Sequence, residues 1–206
     1  MITILYHDDH LVFVNKPHDL LSVPGKGPDN ADCVLSRTRQ QFPTARIVHR
    51  LDCATSGVMV LAQDADSHRE LSRQFHDRET CKRYLADIDG HPPASQGECT
   101  HPLRCDWPNR PRQMVCWKQG KTALTHWQVL EQHSDHARVE LIPHTGRSHQ
   151  LRVHMLALGH PILGDRFYAR GSALAKSSRL HLHAESLEIT HPQTGRRLRV
   201  AAPCPF

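Results

Sequence analysis

The stretch that decides the fold of this chain is Ile47-Val48-His49-Arg50-Leu51-Asp52-Cys53-Ala54-Thr55-Ser56-Gly57-Val58-Met59-Val60-Leu61. Its apolar arms, Ile47-Val48 and Val58 to Ala62, contain enough β-branched residues to predict two strands. If residues 47–52 are extended, Arg50 and Asp52 lie on one side and form a positioned charge pair. The polar middle also has the composition of an ordinary tight turn, and composition alone favours that simpler interpretation.

The polar middle resembles the signature of a known enzyme family. His49-Arg50-Leu51-Asp52 followed by Thr55-Ser56-Gly57 is similar to the signature of the RluA family of pseudouridine synthases. Further stretches at compatible distances extend the resemblance over nearly the whole chain: Val14-Asn15-Lys16-Pro17, Leu21-Ser22-Val23-Pro24-Gly25, Lys82-Arg83-Tyr84, Thr145-Gly146-Arg147-Ser148-His149-Gln150-Leu151-Arg152-Val153-His154 and His160-Pro161-Ile162-Leu163-Gly164-Asp165. The stretch Cys105-Asp106-Trp107-Pro108-Asn109-Arg110-Pro111 resembles those members that modify both a tRNA and ribosomal RNA.

The length and the cysteine count favour one intracellular domain. A chain of 206 residues suits a single catalytic domain over residues 1–206, and we expect no separate N-terminal RNA-binding module before Ile2. No segment has the pattern of a signal peptide or the ~20 apolar residues of a membrane span. Seven scattered cysteines, an odd number, indicate a reducing cytoplasm rather than a disulfide framework.

The charge balance permits a polyanionic partner without demanding one. Lys and Arg number 26 against 21 Asp and Glu, and 18 histidines can add positive charge below neutral pH. His181-x-His183 has no Cys pair nearby and no Cys-x-x-Cys occurs, so we expect no metal site. We also expect no cofactor, since nucleotide-binding motifs are missing. No protein partner is indicated, and we expect a monomer.

The residue periodicity predicts an α+β fold. Strands outnumber helices and follow one another in sequence, so the mixed sheet should be largely antiparallel with a few flanking helices. The resemblance implies the pseudouridine synthase fold, with a central active-site cleft. The predicted strands are Ile2 to Tyr6, Leu11 to Asn15, Lys82 to Asp89, Thr122 to Glu131, Arg138 to Ile142, Leu180 to Ile189 and Arg197 to Ala201.

The predicted helices have recognisable start and stop signals. One runs from an Asp32 cap to about Gln41, a second begins at Asp66 or Ser67, and a third runs from about Arg147 to Leu158, before Gly159 and Pro161. The remaining long segments are a loop over Leu20 to Pro28, punctuated by Pro and Gly, and a mobile-looking loop over Arg166 to Arg179.

The resemblance implies that Asp52 is the catalytic residue. A carboxylate can act as nucleophile or base beside a glycosidic bond. Whether it attacks the base, attacks the sugar or removes a sugar proton stays open. Arg152 matches the arginine of the family's His-Gln-Leu-Arg motif and is expected to pair with Asp52 and keep it charged. A phosphate contact or a structural ion pair is the alternative. Tyr84 is expected to stack on the uracil.

The resemblance also implies that the partner is RNA, namely a tRNA, large-subunit rRNA or both. A uridine in structured RNA must leave its stack before it can react, and Arg50 is expected to fill the space that it vacates. A helix start could donate to RNA phosphates. The further expected RNA contacts are His49, Thr55, Arg110, Arg147, His149 and Gln150.

Residues 98–121 interleave basic side chains with indoles: Arg104, Trp107, Arg110, Arg112, Trp117, Lys118 and Lys121. Such a segment could bind phosphates and stack on bases, or it could be a hairpin with tryptophans packed beneath it. The second helix carries Arg69, Arg73 and Arg78, which fit an RNA-facing surface and a solvated face equally well.

The sequence therefore predicts an RNA pseudouridine synthase acting on a tRNA anticodon stem-loop and a 23S rRNA hairpin. The competing hypothesis is a non-catalytic RNA-binding or RNA-chaperone protein that retains the fold. The set of Asp52, Tyr84 and Arg152 argues against it. An acid–base hydrolase using Asp52 has little support, because neither a placed second carboxylate nor a nucleophile elbow is found.

Overall fold

The computed structural model describes residues 2–27 and 30–206. Pro28, at the end of the predicted loop, lies outside the described residues. The chain divides into two compact units: unit 1 comprises Met1–Lys82 with His183–Pro205, and unit 2 comprises Arg83–Leu182 with Phe206. The single domain expected over residues 1–206 stays a prediction.

The helices and strands alternate irregularly along the chain. In order they are β1 (Thr3–His7), β2 (Leu11–Lys16), α1 (Val34–Arg39), β3 (Arg46–Ile47), β4 (Ser56–Ala62), α2 (Ala65–Asp77), β5 (Cys81–Asp89), β6 (Gln96–Cys99), β7 (Leu103–Cys105), β8 (Gln113–Val115), β9 (Thr125–Gln132), β10 (His136–Pro143), α3 (Gln150–Ala157), α4 (Gly171–Ala175), β11 (Leu182–Thr190) and β12 (Arg197–Ala201), with a 3-10 turn at Trp107–Asn109. No helix within the described ranges is both long and apolar enough to cross a membrane.

Unit 1 is built around the fully buried strand β4. The strand order is β1-β2-β4-β11, and β3 and β12 pair with β4 and β11 respectively. Pairing is antiparallel except between β4 and β11, where His183 lies opposite Ser56. Side chains of β2, β4, α2 and β11 form one apolar cluster that includes Phe13, Val60 and Leu71. The sequence between the apolar arms is thereby held at the edge of a packed core.

Gly57 allows the parallel contact between β4 and β11. Its φ is +118°, and a Cβ atom there would lie 2.2 Å from the carbonyl oxygen of Ala184. Only glycine accepts this conformation and this close approach. Ser56 and Gly57 therefore belong to a strand and not to the turn in which the sequence pattern placed them.

Unit 2 is an antiparallel sheet with the strand order β5-β10-β9-β6, accompanied by the separate β7–β8 hairpin. Val139 and Leu141 of β10 are fully buried, as is Ala86 of β5. The helix α3 supplies Val153 to a second apolar cluster with Leu103 of the hairpin. The α+β class and the largely antiparallel mixed pairing are confirmed.

The starts of two helices differ from the predicted ones. Asp32 does not cap α1; Cys33 does, in a reciprocal arrangement with Ser36, while the Asp32 carboxylate accepts hydrogen bonds from Arg37 at 2.6 and 2.8 Å. α2 begins at Ala65 because Asp64 accepts from the Ser67 amide at 2.8 Å. In both cases, a competing polar residue close by in sequence takes the capping role.

The predicted third helix and the loop after it were also partly wrong. α3 begins at Gln150 instead of Arg147, since His149 before it has a left-handed backbone with φ of +53°. Gly159, with φ of +87°, follows the helix as expected. The loop predicted over residues 166–179 contains the short helix α4, whose Ala173 is buried against Leu163. Small apolar residues gave that helix a weak periodic signal.

Candidate active site

Asp52 lies in a short turn of unit 1 that leads into β4. Its carbonyl oxygen accepts a hydrogen bond from the Thr55 amide at 3.1 Å. The Asp52 side chain is half-buried, Thr55 is buried and Arg50 is exposed. The turn thus presents an acid and a guanidinium two residues apart above a buried strand.

Ser22 holds the backbone immediately before Asp52. The buried Ser22 hydroxyl donates to the Leu51 carbonyl at 2.8 Å, and its oxygen accepts from the Leu51 amide at 3.1 Å. A single hydroxyl therefore satisfies both backbone groups of one residue, which fixes the path of the chain into the turn.

Lys16 holds the backbone immediately after Asp52. This lysine is fully buried, and its ammonium donates to the Cys53 carbonyl at 2.7 Å and to the Pro17 carbonyl at 2.9 Å. A buried ammonium needs such acceptors because its desolvation is costly. The sequence assigned no role to Lys16 or Ser22, although both lie in stretches that carry the family resemblance.

His49 packs inside unit 1. Its ring stacks on Phe75, with centroids 4.4 Å apart, and its Nε2 accepts a hydrogen bond from the Val60 amide at 3.1 Å. Burial and the nearby Lys82 charge lower the pKa of His49 to about 3. The neutral ring accepts a hydrogen bond from the β4 backbone, which fixes the first residue of the signature against that strand. Its predicted contact with RNA stays a prediction.

A hydroxyl–imidazole pair supports the other end of the turn. The Ser56 hydroxyl lies 2.9 Å from Nδ1 of His183, and Nε2 of His183 lies 3.2 Å from the Ala202 carbonyl. Because a carbonyl only accepts, the proton belongs on Nε2, and Ser56 donates to Nδ1. The start of β4 is fixed by side chains as well as by its strand pairing.

Arg152 is the most tightly held candidate in unit 2. Its guanidinium donates through Nε and Nη2 to the two carboxylate oxygens of Asp165, at 2.7 and 2.6 Å, and the side chains are only 3% and 1% exposed. Arg152 also lies over the rings of Phe167 and Tyr168, at 5.2 and 5.1 Å. The buried arginine was expected to need a carboxylate, and Asp165 meets that need within unit 2.

Tyr84 lies on β5 opposite Leu141 of β10. Its side chain is half-buried, whereas Ala86 and Ile88 further along the same strand are buried. The neighbouring Arg83 forms an ion pair with Glu140. The aromatic ring is therefore presented near the less buried end of a strand whose other end is in the core.

The residues around the start of α3 differ in how fully their side chains are hydrogen-bonded within the protein. Gln150 is buried, and its amide donates to the Leu124 carbonyl and to the Thr125 hydroxyl, both at 3.0 Å. Both amide hydrogens are used within the protein, and the predicted contact of Gln150 with an RNA phosphate stays a prediction. His149 lies 2.7 Å from the Tyr168 hydroxyl, and Arg147 donates to the Thr122 carbonyl at 3.0 Å.

The β7–β8 hairpin presents its indoles to solvent. Trp107 and Trp117 are 61% and 71% exposed. The interpretation in which the tryptophans pack beneath the hairpin is therefore wrong. The Arg110 guanidinium lies over the Trp107 ring, 4.6 Å from its centroid. An exposed indole with a stacked cation is a surface typical of proteins that bind single-stranded RNA.

The signature turn lies inside a segment that matches a known protein family. A family model described as RNA pseudouridylate synthase matches residues 10–157. The chain is 55% identical over 206 residues to the dual-specificity RNA pseudouridine synthase RluA of Escherichia coli K12. The aligned region covers 100% of this chain and 94% of that relative. The chain belongs to the RNA pseudouridylate synthase family.

Other relatives agree with this assignment. The RluA protein of Yersinia pestis is 56% identical over 193 residues, or 93% of this chain and 94% of the relative. Among solved structures, human RNA pseudouridylate synthase domain containing 1 has a TM-score of 0.84 at 32% identity and covers 100% of this chain and 84% of that chain. Human RNA pseudouridylate synthase domain containing 4 has a TM-score of 0.77 at 29% identity, and the match covers 98% of this chain and 88% of that chain. The predicted membership in the RluA family, the pseudouridine synthase fold and the enzyme class are confirmed.

Within this family member, the candidates fall into two groups. His49, Arg50, Asp52 and Thr55 belong to unit 1, whereas Tyr84, Arg110, Arg147, His149, Gln150 and Arg152 belong to unit 2. The expected ion pair of Asp52 with Arg152 stays a prediction. Sequence reasoning missed the roles of Lys16, Ser22 and Asp165, although each of them belongs to a stretch that carries the family resemblance.

Proposed function

We propose that this chain isomerises uridine to pseudouridine in structured RNA, with a tRNA anticodon stem-loop and a 23S rRNA hairpin as its substrates. The observation that carries the proposal is the 55% identity over 206 residues to a relative named a dual-specificity RNA pseudouridine synthase. The reaction breaks the N1–C1′ bond of the nucleoside, forms a C5–C1′ bond, releases the C5 proton and leaves a proton on N1. It occurs in the cytoplasm, and the enzyme acts as a monomer without a cofactor.

Asp52 is the catalytic group in this proposal. The turn fixed by Ser22 and Lys16 supports that role, because a nucleophile or base must be held in a reactive geometry. Arg152 keeps the Asp52 carboxylate charged in the reacting complex, and Tyr84 stacks on the extracted uracil. Both roles come from the family resemblance.

RNA recognition is assigned to exposed basic and aromatic side chains. Arg50 is exposed two residues before Asp52, which supports its predicted role in filling the space of the flipped base. Arg110 and Trp107 supply a cation and a stacking surface on the hairpin. Arg147 and His149 contact phosphates next to the start of α3, and His49 and Thr55 support the turn that meets the RNA.

Replacement of the acid tests the catalytic proposal. Asp52→Asn keeps the size of the side chain but removes its charge, and we expect turnover to fall at least ~10⁴-fold, as for the loss of a nucleophile. Tritium release from RNA containing C5-tritiated uridine measures turnover, and filter binding measures RNA affinity. Asp66→Asn, at a side chain that is 88% exposed, is the control and should leave both unchanged.

The same experiment separates the enzyme from a non-catalytic RNA-binding protein. If Asp52→Asn binds RNA and still forms pseudouridine, Asp52 is not the catalytic residue. If the wild type binds RNA but never releases tritium, the chain is a binding protein. Mapping pseudouridine in total RNA from cells with and without the gene identifies the modified uridines.

Replacement of the exposed indole tests the hairpin. Trp107→Ala removes the stacking surface, and we expect RNA binding to weaken by about 1–3 kcal/mol, the usual contribution of one stacked base. Trp107→Phe should retain most of the affinity. Fluorescence titration with stem-loop RNA, in the Asp52→Asn background, gives the binding constants. Equal affinities of Trp107→Ala and the parent protein would remove Trp107 from the interface.

A further inference from the structure

The turn Asp165–Tyr168 of unit 2 contacts both Arg152 and the β7–β8 hairpin. The turn is held by its own backbone, since the Asp165 carbonyl accepts from the Ala169 amide at 2.9 Å. It is also held by its own acid, because one Asp165 carboxylate oxygen accepts from the amides of Phe167 and Tyr168 at 3.0 and 3.2 Å. The turn is therefore a rigid element with two outward connections.

The first connection fixes the guanidinium of Arg152. Asp165 offers both carboxylate oxygens to Nε and Nη2, and a bidentate pair of this kind determines the plane of the guanidinium as well as its position. The rings of Phe167 and Tyr168 lie against the same group at 5.2 and 5.1 Å. These contacts to Arg152 come from the turn Asp165–Tyr168.

The second connection fixes the hairpin. The Tyr168 hydroxyl accepts a hydrogen bond from the Gln113 amide, at the start of β8, at 2.8 Å, and it lies 2.7 Å from Nδ1 of His149. Arg112 donates to the Phe167 carbonyl. The loop that carries Trp107 and Arg110 is thus attached to the same turn that orients Arg152.

We propose that Asp165 and Tyr168 are positioning residues with separate tasks. Asp165 orients Arg152 for the isomerisation step, whereas Tyr168 sets the position of the hairpin for RNA binding. The inference rests on the proposed function and adds two residues to it, neither of which touches the reacting atoms. The separation follows from the geometry, because the carboxylate contacts the arginine and the phenol hydroxyl contacts the hairpin backbone.

The two tasks predict opposite kinetic signatures. Asp165→Asn should lower the single-turnover rate of tritium release on the order of 100-fold, the effect of misplacing a catalytic group by ~1 Å, with RNA Kd within about twofold. Tyr168→Phe keeps the ring and loses the hydroxyl, so RNA Kd should rise about tenfold, equivalent to one hydrogen bond, with the rate at saturating RNA unchanged. Tyr6→Phe, which loses a hydroxyl that donates to Asp8 at 2.7 Å in unit 1, is the matched control and should change neither quantity.

The outcomes are distinguishable from failure of the proposed function. A wild type that releases no tritium would overturn the proposed function, and the RNA Kd of Tyr168→Phe against Tyr6→Phe would still test the hairpin. If the wild type is active, equal losses of rate and affinity in Asp165→Asn and Tyr168→Phe, or no loss in either, overturn the inference. Should Asp165→Asn fail to fold in a thermal-unfolding measurement, Asp165→Glu keeps the charge while moving the carboxylate, and the same loss of rate without loss of affinity is expected.

Discussion

The two polar centres of this enzyme are held in place by different interactions. Asp52 is positioned through the backbone of its neighbours, where Ser22 and Lys16 contact the Leu51 and Cys53 carbonyls. Arg152 is positioned through its own side chain, by a buried ion pair with Asp165. In the proposed mechanism the Asp52 carboxylate reacts, and these contacts of Ser22 and Lys16 support it through the neighbouring backbone. A guanidinium offers five N–H donors in a planar fork, so a carboxylate can fix the side chain itself by a bidentate contact.

The largest expected effect concerns the buried ion pair. Arg152→Met leaves the Asp165 carboxylate buried without this partner, and we expect a loss of about 3–5 kcal/mol in the free energy of unfolding. Arg69→Met breaks a pair with Asp66 whose side chains are 79% and 88% exposed, and should cost under ~1 kcal/mol. Urea unfolding of both variants checks the difference. Similar losses would show that burial is not what makes the unit 2 pair important.

A smaller effect is expected from the hydroxyl that supports the Asp52 turn. Ser22→Ala removes the partner of both Leu51 backbone groups, which should cost about 1–3 kcal/mol of stability. Turnover should fall by about tenfold as the turn shifts, with RNA affinity retained. Ser95→Ala, at an exposed serine, is the control, with an expected change within ~0.5 kcal/mol. Unchanged turnover in a destabilised Ser22→Ala would limit Ser22 to a role in folding.

The smallest effect is a pH dependence in unit 1. The pKa of His49 is about 3 in the folded protein because of burial and Lys82, and its ordinary value is 6.5. As the pH falls, the His49 ring is therefore protonated in the unfolded state before it is protonated in the folded state. The contribution of the neutral ring to the free energy of unfolding is complete above about pH 6.5 and is lost progressively towards about pH 3. Between about pH 7 and 6 the loss should be at most about 1 kcal/mol.

The test compares pH profiles of unfolding. His49→Gln offers an acceptor for the Val60 amide without a titrating ring, so its stability should depend less on pH than that of the wild type. Urea unfolding between neutral and mildly acidic pH measures both slopes. A steeper profile in His49→Gln would contradict the assignment, since removal of a depressed histidine can only flatten the curve.

Strand prediction succeeded where one side of a strand is apolar. The alternation in β5, β9 and β10 and the buried run of β4 were all recognised, because burial imposes its period on the sequence. Helix boundaries were less accurate. Asp32 and Asp66 have the composition of caps, but Cys33 and Asp64 lie one and two positions away with the required geometry. Composition does not separate such neighbours.

The sequence alone determined the family and the α+β class, because the signature stretches resemble those of the family over nearly the whole chain. Only the tertiary structure decided which groups hold the residues of these stretches. Three contacts of a few ångströms join separate positions of the chain: Gly57 with Ala184, Ser22 with Leu51 and Asp165 with Arg152. Those pairings depend on which buried polar groups meet, and a linear pattern of residue types does not contain that information.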